Sequence, residues 1–281
     1  MALKKIKKEQ TEGFPVTALR EIKILNQLNH KNIIRLYEII TKQNKIYGDQ
    51  TYLVFEYCEH DLEGLLSNNI QFSIEQTKNV MFQLLQGMTE IHQKNIIHRD
   101  IKTDNILFNN QGEFKIADFG LSKINLNNKP FTQKIQCISY RSPEIIFCKN
   151  KQIFYLIKIY KEAKKYSNKV DIWSLGIIFF QLIFRNQSKK KSLFMGLDGS
   201  FQQAKQYFYL LGNPEIVWSE QSKKNLMMCK YEEIMKQIKP EEKSQFKDCL
   251  FEYLKDIKQK YIFFSIQLKK YFQLQVLILM H

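Results

Sequence analysis

Leu19, Ile22, Leu25 and Leu28 recur at helical spacing, and Thr11-Glu12-Gly13-Phe14-Pro15 breaks the chain just before them. Proline suits the first turn of a helix, so this stretch predicts an amphipathic helix with those four residues as its buried stripe. Ahead of it, residues 1–8 predict a strand that starts abruptly. Ile33 to Ile40 and Tyr52 to Tyr57 predict two more. From Ser73 a longer pattern (Val80, Leu84, Leu85, Met88, Ile91) predicts a core helix. An apolar-rich hairpin follows Asn105, Lys123 to Gln136 reads as a mobile loop, and Val170 to Gly176 opens a further apolar helix. Near the end, Tyr261, Phe263, Phe264, Ile266 and Leu268 suit either a core helix or an unsupported sticky tail.

Composition narrows the class. At 281 residues, 44% hydrophobic and 13% aromatic, the chain can bury a large core as one long domain or two lobes. Five scattered cysteines, an odd number without paired metal spacing, suit free thiols in a reducing compartment. The net charge of +15 has two readings. It could attract acidic substrates or nucleic acid. Alternatively it is compositional bias, because lysine supplies nearly all of it and is spread along the chain. The second covers most of the charge, and no direct nucleic-acid partner is expected. No signal-peptide core opens the chain and no stretch approaches bilayer-spanning length, so an intracellular, soluble protein without a membrane partner is expected.

The chemistry concentrates in His98-Arg99-Asp100-Ile101-Lys102-Thr103-Asp104-Asn105 and in Ala117-Asp118-Phe119-Gly120. Phosphoryl transfer from a nucleotide needs an acid to orient the attacking hydroxyl, a cation for the moving phosphoryl, and oxygen ligands for Mg2+. These two segments supply all of them. The first resembles the protein-kinase signature H-R-D-L-x-x-x-N, with Ile for Leu, and the second carries D-F-G unaltered. Met1-Ala2-Leu3-Lys4 resembles V-A-I-K, whose lysine grips the nucleotide phosphates. Taken alone, Lys4 and Glu21 would each read as a solvated charge. Within the set they read as the ion pair that holds the lysine at the phosphates.

Glu12-Gly13-Phe14-Pro15-Val16-Thr17-Ala18-Leu19-Arg20-Glu21 resembles the cyclin-contacting helix of the cyclin-dependent kinases. Its Gly-Phe-Pro form is most similar to the transcriptional branch, which acts on the RNA polymerase II C-terminal tail. The resemblance implies an α+β, bilobal kinase fold: a partial N-lobe over 1–58, of antiparallel sheet plus one helix; a mainly helical C-lobe over 59–218; and a divergent end over 219–281. It implies a Ser/Thr kinase that uses ATP and Mg2+ and transfers the γ-phosphate to Ser/Thr-Pro sites in protein substrates. A cyclin would dock on the Pro15–Glu21 helix, and the branch implies a nuclear location.

Residue by residue, the resemblance implies Asp100 as base or orienting acid and Lys102 as neutraliser of the transferred phosphoryl. Asn105 and Asp118 would hold Mg2+. Ala2 and Leu107 would enclose the adenine, with Phe55 as gatekeeper. The backbones of Glu56 and Cys58 would bond the adenine edge, and Asp61 the ribose. Asp61 also reads as a helix N-cap. His98 and Phe119 are assigned to core packing with Leu25 and Leu36. Thr132 is the expected activating phosphorylation site, received by Arg20, Arg99 and Lys123.

Four departures from the family pattern bear on activity. There is no G-x-G-x-x-G in the chain, which suggests truncation at the N-terminus and an exposed edge on the first strand. Cys137 stands where the family has a threonine that bonds the catalytic Asp and Lys, and Ser139 replaces a tryptophan. Residues 149–168 are longer than the family's connection. No arginine follows Arg185 to pair with Glu144, a loss that costs roughly 3–5 kcal/mol when one side of a buried pair is removed. Beside the kinase reading stand two others: a catalytically impaired cyclin-binding module, and an incomplete gene product.

Overall fold

The computed structural model describes residues 1–6, 14–42, 50–125, 137–142, 145, 168–184, 202–203 and 206–207. Thr132, Pro143, Glu144, residues 149–167, Arg185 and everything from residue 208 onward lie outside the described residues. The chain divides into two compact units, Met1–Asn128 and Lys129–His281.

In the first unit, β1 (Ala2–Ile6), β2 (Leu36–Lys42) and β3 (Gln50–Phe55) form an antiparallel sheet in the order β1-β3-β2. The central strand β3 is the buried one, with Leu53, Val54 and Phe55 in the core. The register sets Lys4 opposite Leu53 and Ala2 opposite Phe55. The strand expected from Ile33 begins only at Leu36. Ile33 and Ile34 instead join a second pairing, in which the Ile34 amide donates to the Ile116 carbonyl and the Ile116 amide to that of Asn32.

Helix α1 (Val16–Leu25) follows Pro15, which sits at its N-cap. Its buried residues are Ala18, Glu21, Ile24 and Leu25, whereas Leu19 is exposed and Ile22 half-buried. The stripe predicted from leucine spacing is therefore rotated. A carboxylate lies on the inner face because a lysine on β1 waits for it.

A two-residue strand β4 (His60–Asp61) leads into α2 (Leu62–Ser67), capped by Asp61, whose Oδ1 accepts from the Gly64 amide at 2.7 Å. Then α3 (Ile74–Gln93) starts at Ser73 with a complete capping box, the Ser73 hydroxyl and the Gln76 side chain satisfying each other's backbone amides. Its apolar face buries Val80, Leu84, Met88 and Ile91, as the periodicity predicts, but leaves Leu85, the fifth residue of that pattern, half-buried. Short strands β5 (Ile96–Ile97), β6 (Ile106–Phe108), β7 (Phe114–Ile116) and β8 (Lys123–Ile124) complete the unit. They pair as β4-β6-β7 and β5-β8, all antiparallel. The β6–β7 hairpin is the one expected after Asn105. It lies between the two chemistry-bearing segments, one ending where β6 begins and the other starting where β7 ends.

In the second unit, α4 (Lys169–Phe184) is apolar on nearly every side, and Val170, Trp173, Leu175, Ile178 and Leu182 are all buried. A helix with no polar face belongs in a core. Its Ser174 hydroxyl donates to the Tyr140 carbonyl (2.9 Å), and the Tyr140 hydroxyl donates to Gln181 Oε1 (3.0 Å). Among the described residues no helix is long and apolar enough to cross a membrane.

Candidate active site

The groups singled out from the sequence and lying between Ala2 and Lys123 all belong to the first unit. Lys4 on β1 donates to both Glu21 oxygens at 2.9 Å. Its Nζ also lies 3.3 Å from Asp118 Oδ1. Glu21's side chain is only 5% exposed, against 48% for Lys4 and 46% for Asp118. The result is a lysine fixed from the inside and open toward solvent on the other.

Each titration shift has a cause. Burial opposes the charge on Lys4, but the Glu21 carboxylate and then Asp118 outweigh it, holding the lysine above its ordinary range. Burial pushes the Glu21 carboxyl above the usual carboxylate range, with Lys4 only partly offsetting it. Burial would also raise Asp118; the charge and hydrogen bond of Lys4 and the Gly120 amide outweigh that and hold it low.

A second cluster surrounds Asp100. Asn105 Nδ2 donates to the Asp100 carbonyl (2.8 Å) and to its Oδ2 (3.1 Å). Lys102 Nζ lies 3.7 Å from the same Oδ2. The Ala117 amide donates to the Asn105 carbonyl at 2.9 Å, which sets Asn105 beside the residue before Asp118. Both Arg99 and Asp118 adopt left-handed backbone, with φ of 69° and 60°. Such conformations cost energy at non-glycine residues and persist where surrounding contacts over-determine them. Here the contacts are the Arg99 Nε bond to the Leu121 carbonyl (2.7 Å) and the burial of Phe119.

His98 is packing, as expected. Its ring meets Phe119 edge-to-face with centroids 4.7 Å apart. Its Nδ1 accepts from the Asp100 amide (3.3 Å), which assigns the proton to Nε2, facing the Ala117 carbonyl at 3.0 Å. A ring with both nitrogens bonded to backbone has no free edge for a metal.

The donor set fits Mg2+. Asn105 uses its amide nitrogen on Asp100, which turns its carbonyl oxygen away from that bond, and Asp118 offers a half-exposed carboxylate. Hard oxygen donors, few in number and completed by phosphate and water, are how this ion is held. Among the described residues no group of three or more His, Cys, Asp or Glu forms a closed metal site.

The remaining positions fall into pairs. Ala2 faces Phe55 across β1 and β3, and Asp61 faces Leu107 across β4 and β6. Phe55 is buried, while Glu56, Cys58, Asp61 and Leu107 are half-buried. Arg20 and Arg99 converge: Arg20 Nη1 donates to the Gly120 carbonyl (3.2 Å), next to the Leu121 carbonyl that Arg99 holds. Lys123 is half-buried on β8, and Thr132 is outside the described residues.

Two side chains were missed from the sequence. Thr103, fully buried, donates to Glu63 Oε2 at 2.6 Å and so ties the segment from His98 to Asn105 to α2. Lys115 is buried beside Glu56. Neither carries a sequence signal. In Phe114-Lys115-Ile116 the lysine alternates with apolar residues and reads as the solvent-facing member of a strand.

Comparison with known proteins adds lineage to this geometry. The protein kinase domain family matches residues 1–262. Cyclin-dependent kinase 12 of Drosophila melanogaster is 43% identical over 195 residues, covering 66% of this chain and 16% of that protein. CTD kinase subunit alpha of Schizosaccharomyces pombe is 35% identical over 259 residues, covering 90% of this chain and 38% of that protein. Among solved structures, the yeast RNA Pol II CTD kinase CTDK-1 complex aligns with a TM-score of 0.70 at 30% identity. That alignment covers 90% of this chain and 77% of the other. The chain therefore spans well under half the length of these two curated relatives.

Proposed function

The chain belongs to the protein kinase domain family, in its transcriptional cyclin-dependent branch, and on that premise we propose that it transfers the γ-phosphoryl of ATP to Ser or Thr hydroxyls. The observation that carries the reading is the Lys4 ion pair with Glu21, with Asp118 within 3.3 Å of the same ammonium. A cation held by a buried acid beside a half-exposed acid is what a triphosphate with its metal requires.

In the proposed reaction the substrate hydroxyl hydrogen-bonds Asp100, which orients it and accepts its proton. The hydroxyl oxygen bonds to the γ-phosphorus as the bond to the β–γ bridging oxygen breaks, and ADP departs. Lys102, near Asp100 Oδ2, offsets charge on the moving group. Lys4 holds the phosphates that stay behind. Asn105 and Asp118 would hold Mg2+, which supplies neutralisation of phosphate charge. Ala2, Phe55 and Leu107 would enclose the adenine, the backbones of Glu56 and Cys58 would bond its edge, and Asp61 the ribose. The lobe boundary would fall near residue 58, with the C-lobe over 59–218.

A cyclin is the proposed partner, seated on the Pro15–Glu21 helix. Val16 and Leu19 are apolar and exposed there, on the face opposite Glu21. Pushing that helix inward is the move that would keep Glu21 on Lys4. Substrates with Ser/Thr-Pro sites, such as the polymerase tail named for the yeast relative, and a nuclear location complete the proposal.

The test is γ-phosphate transfer to a Ser-Pro peptide by the full chain, with and without a cyclin, against Asp100→Asn. Transfer that falls at least about 10²-fold in the variant is expected. Equal transfer by both would overturn the reading. A second reading, a cyclin-binding module without turnover, is favoured by Cys137, an exposed thiol where the family places a threonine. It predicts cyclin capture lost in Arg20→Ala and Glu21→Ala, with no transfer from any form.

A further inference from the structure

Lys115 occupies the middle of β7, two residues before Ala117-Asp118, and its side chain is only 7% exposed. Its Nζ donates to the Lys31 carbonyl at 2.8 Å and lies 3.0 Å from Glu56 Oε2 and 3.6 Å from Glu113 Oε2. Glu56 is engaged at its other oxygen as well, where Oε1 accepts the Arg35 amide at 2.7 Å. Its own amide donates to the Arg35 carbonyl at 3.0 Å. One ammonium thus joins three backbone segments: the loop after α1, the residue following β3, and the strand that delivers Asp118. An ammonium withdrawn from water is costly unless fully matched, and an apolar side chain of similar length would fill the space without that cost. The charge sits where it fixes a backbone.

We propose that Lys115 is a positioning residue for adenine recognition. By holding the Glu56 carboxylate it sets the backbone of residues 56–58, whose peptide groups would meet the adenine edge, at a fixed distance from the strand leading to Asp118. Recognition through peptide groups has no side-chain freedom to absorb an error, so a small shift of this segment weakens the base contacts directly. The inference rests on the nucleotide-binding reading above and adds to it a residue that touches no nucleotide.

The experiment uses the full chain and two probes, adenosine and magnesium tripolyphosphate, titrated calorimetrically into wild type, Lys115→Met, Lys115→Arg and Glu56→Gln. Loss of a charge-assisted bond of this kind should weaken adenosine binding roughly tenfold or more in Lys115→Met and Glu56→Gln. Tripolyphosphate affinity should stay within about twofold, and Lys115→Arg should recover most of the adenosine loss. In peptide phosphorylation the same variants should raise the KM for ATP while sparing kcat and the peptide KM. Unchanged adenosine affinity in Lys115→Met, or equal loss of both probes, would overturn the inference and leave the kinase reading standing. Conversely, a wild type that binds adenosine in a Lys115-dependent way yet phosphorylates nothing would sink the kinase reading alone. Should Lys115→Met fail to fold, Glu56→Gln decides the matter, because its amide keeps the oxygen that accepts from Arg35.

Discussion

Lys4 and Glu21, 17 positions apart, meet through two Nζ–Oε bonds of 2.9 Å with the acid buried and the base half-open. A paired acid on the closed side leaves the lysine's remaining hydrogen-bonding capacity directed at Asp118 and the space beside it. If this arrangement holds the nucleotide phosphates, Glu21→Gln should lower kcat/KM in cyclin-supported peptide phosphorylation by roughly 10²-fold, and Lys4→Met by at least as much. Parallel binding of cyclin to wild type and Lys4→Met would separate lost chemistry from lost assembly.

Glu21 also leaves a pH signature in stability. Burial holds its carboxyl above the value it has in the unfolded chain. Between those two values the folded chain binds a proton that the unfolded chain has released, so stability falls as pH rises through that window. Glu21→Gln cannot titrate. The melting temperature of wild type relative to this variant should therefore decline on going from below the ordinary carboxylate range toward neutrality. A constant difference across that range would contradict the burial argument.

Arg20 and Arg99 hold the neighbouring carbonyls of Gly120 and Leu121. The family resemblance implies that these two guanidinium groups, together with Lys123, receive a phosphothreonine carrying nearly two negative charges. Phosphorylation of Thr132 should raise peptide phosphorylation by the full chain, and Thr132→Ala should abolish the gain. Arg20→Ala should keep the modification, measured by mass spectrometry, and lose the activation.

Cys58 ends the segment proposed to meet adenine. Burial, reinforced by the Glu56 carboxylate, pushes its thiol up to about 11. At neutral pH almost none of it is thiolate, the reactive form. Iodoacetamide at pH 7.5 should therefore leave the Cys58 peptide essentially unmodified, with labelling growing steeply as pH approaches 11. Rapid labelling at neutrality would show that the segment is open to water.

Gly87 faces the backbone of Asn32, and a Cβ built there would lie 2.7 Å from the Asn32 carbonyl oxygen. That carbonyl accepts the Ile116 amide, so it cannot retreat without breaking the bond that joins the loop after α1 to β7. Alanine normally helps a helix by about 1 kcal/mol over glycine. Here the clash should win, and Gly87→Ala should destabilise the chain by about 1–3 kcal/mol in a urea titration.

The sequence by itself determined the chemical inventory: an Asp, a Lys and an Asn within six residues, a second Asp before Phe-Gly, and a lysine and a glutamate upstream. It also determined the elements that carry them, because helix caps such as Ser73 and apolar periodicity such as that of α3 are encoded within a few residues. Tertiary structure alone decided which face of α1 turned inward. Local spacing favoured Leu19, yet the docked helix buries Glu21 and leaves Leu19 in solvent. It alone brought Lys4 within 3.3 Å of Asp118 across 114 positions, and it alone drew Lys115 out of water toward Glu56. The physical reason is range. A periodic pattern records how one element meets its surroundings on average, whereas an ion pair between elements depends on sheet register and helix docking, which no stretch of a dozen residues contains.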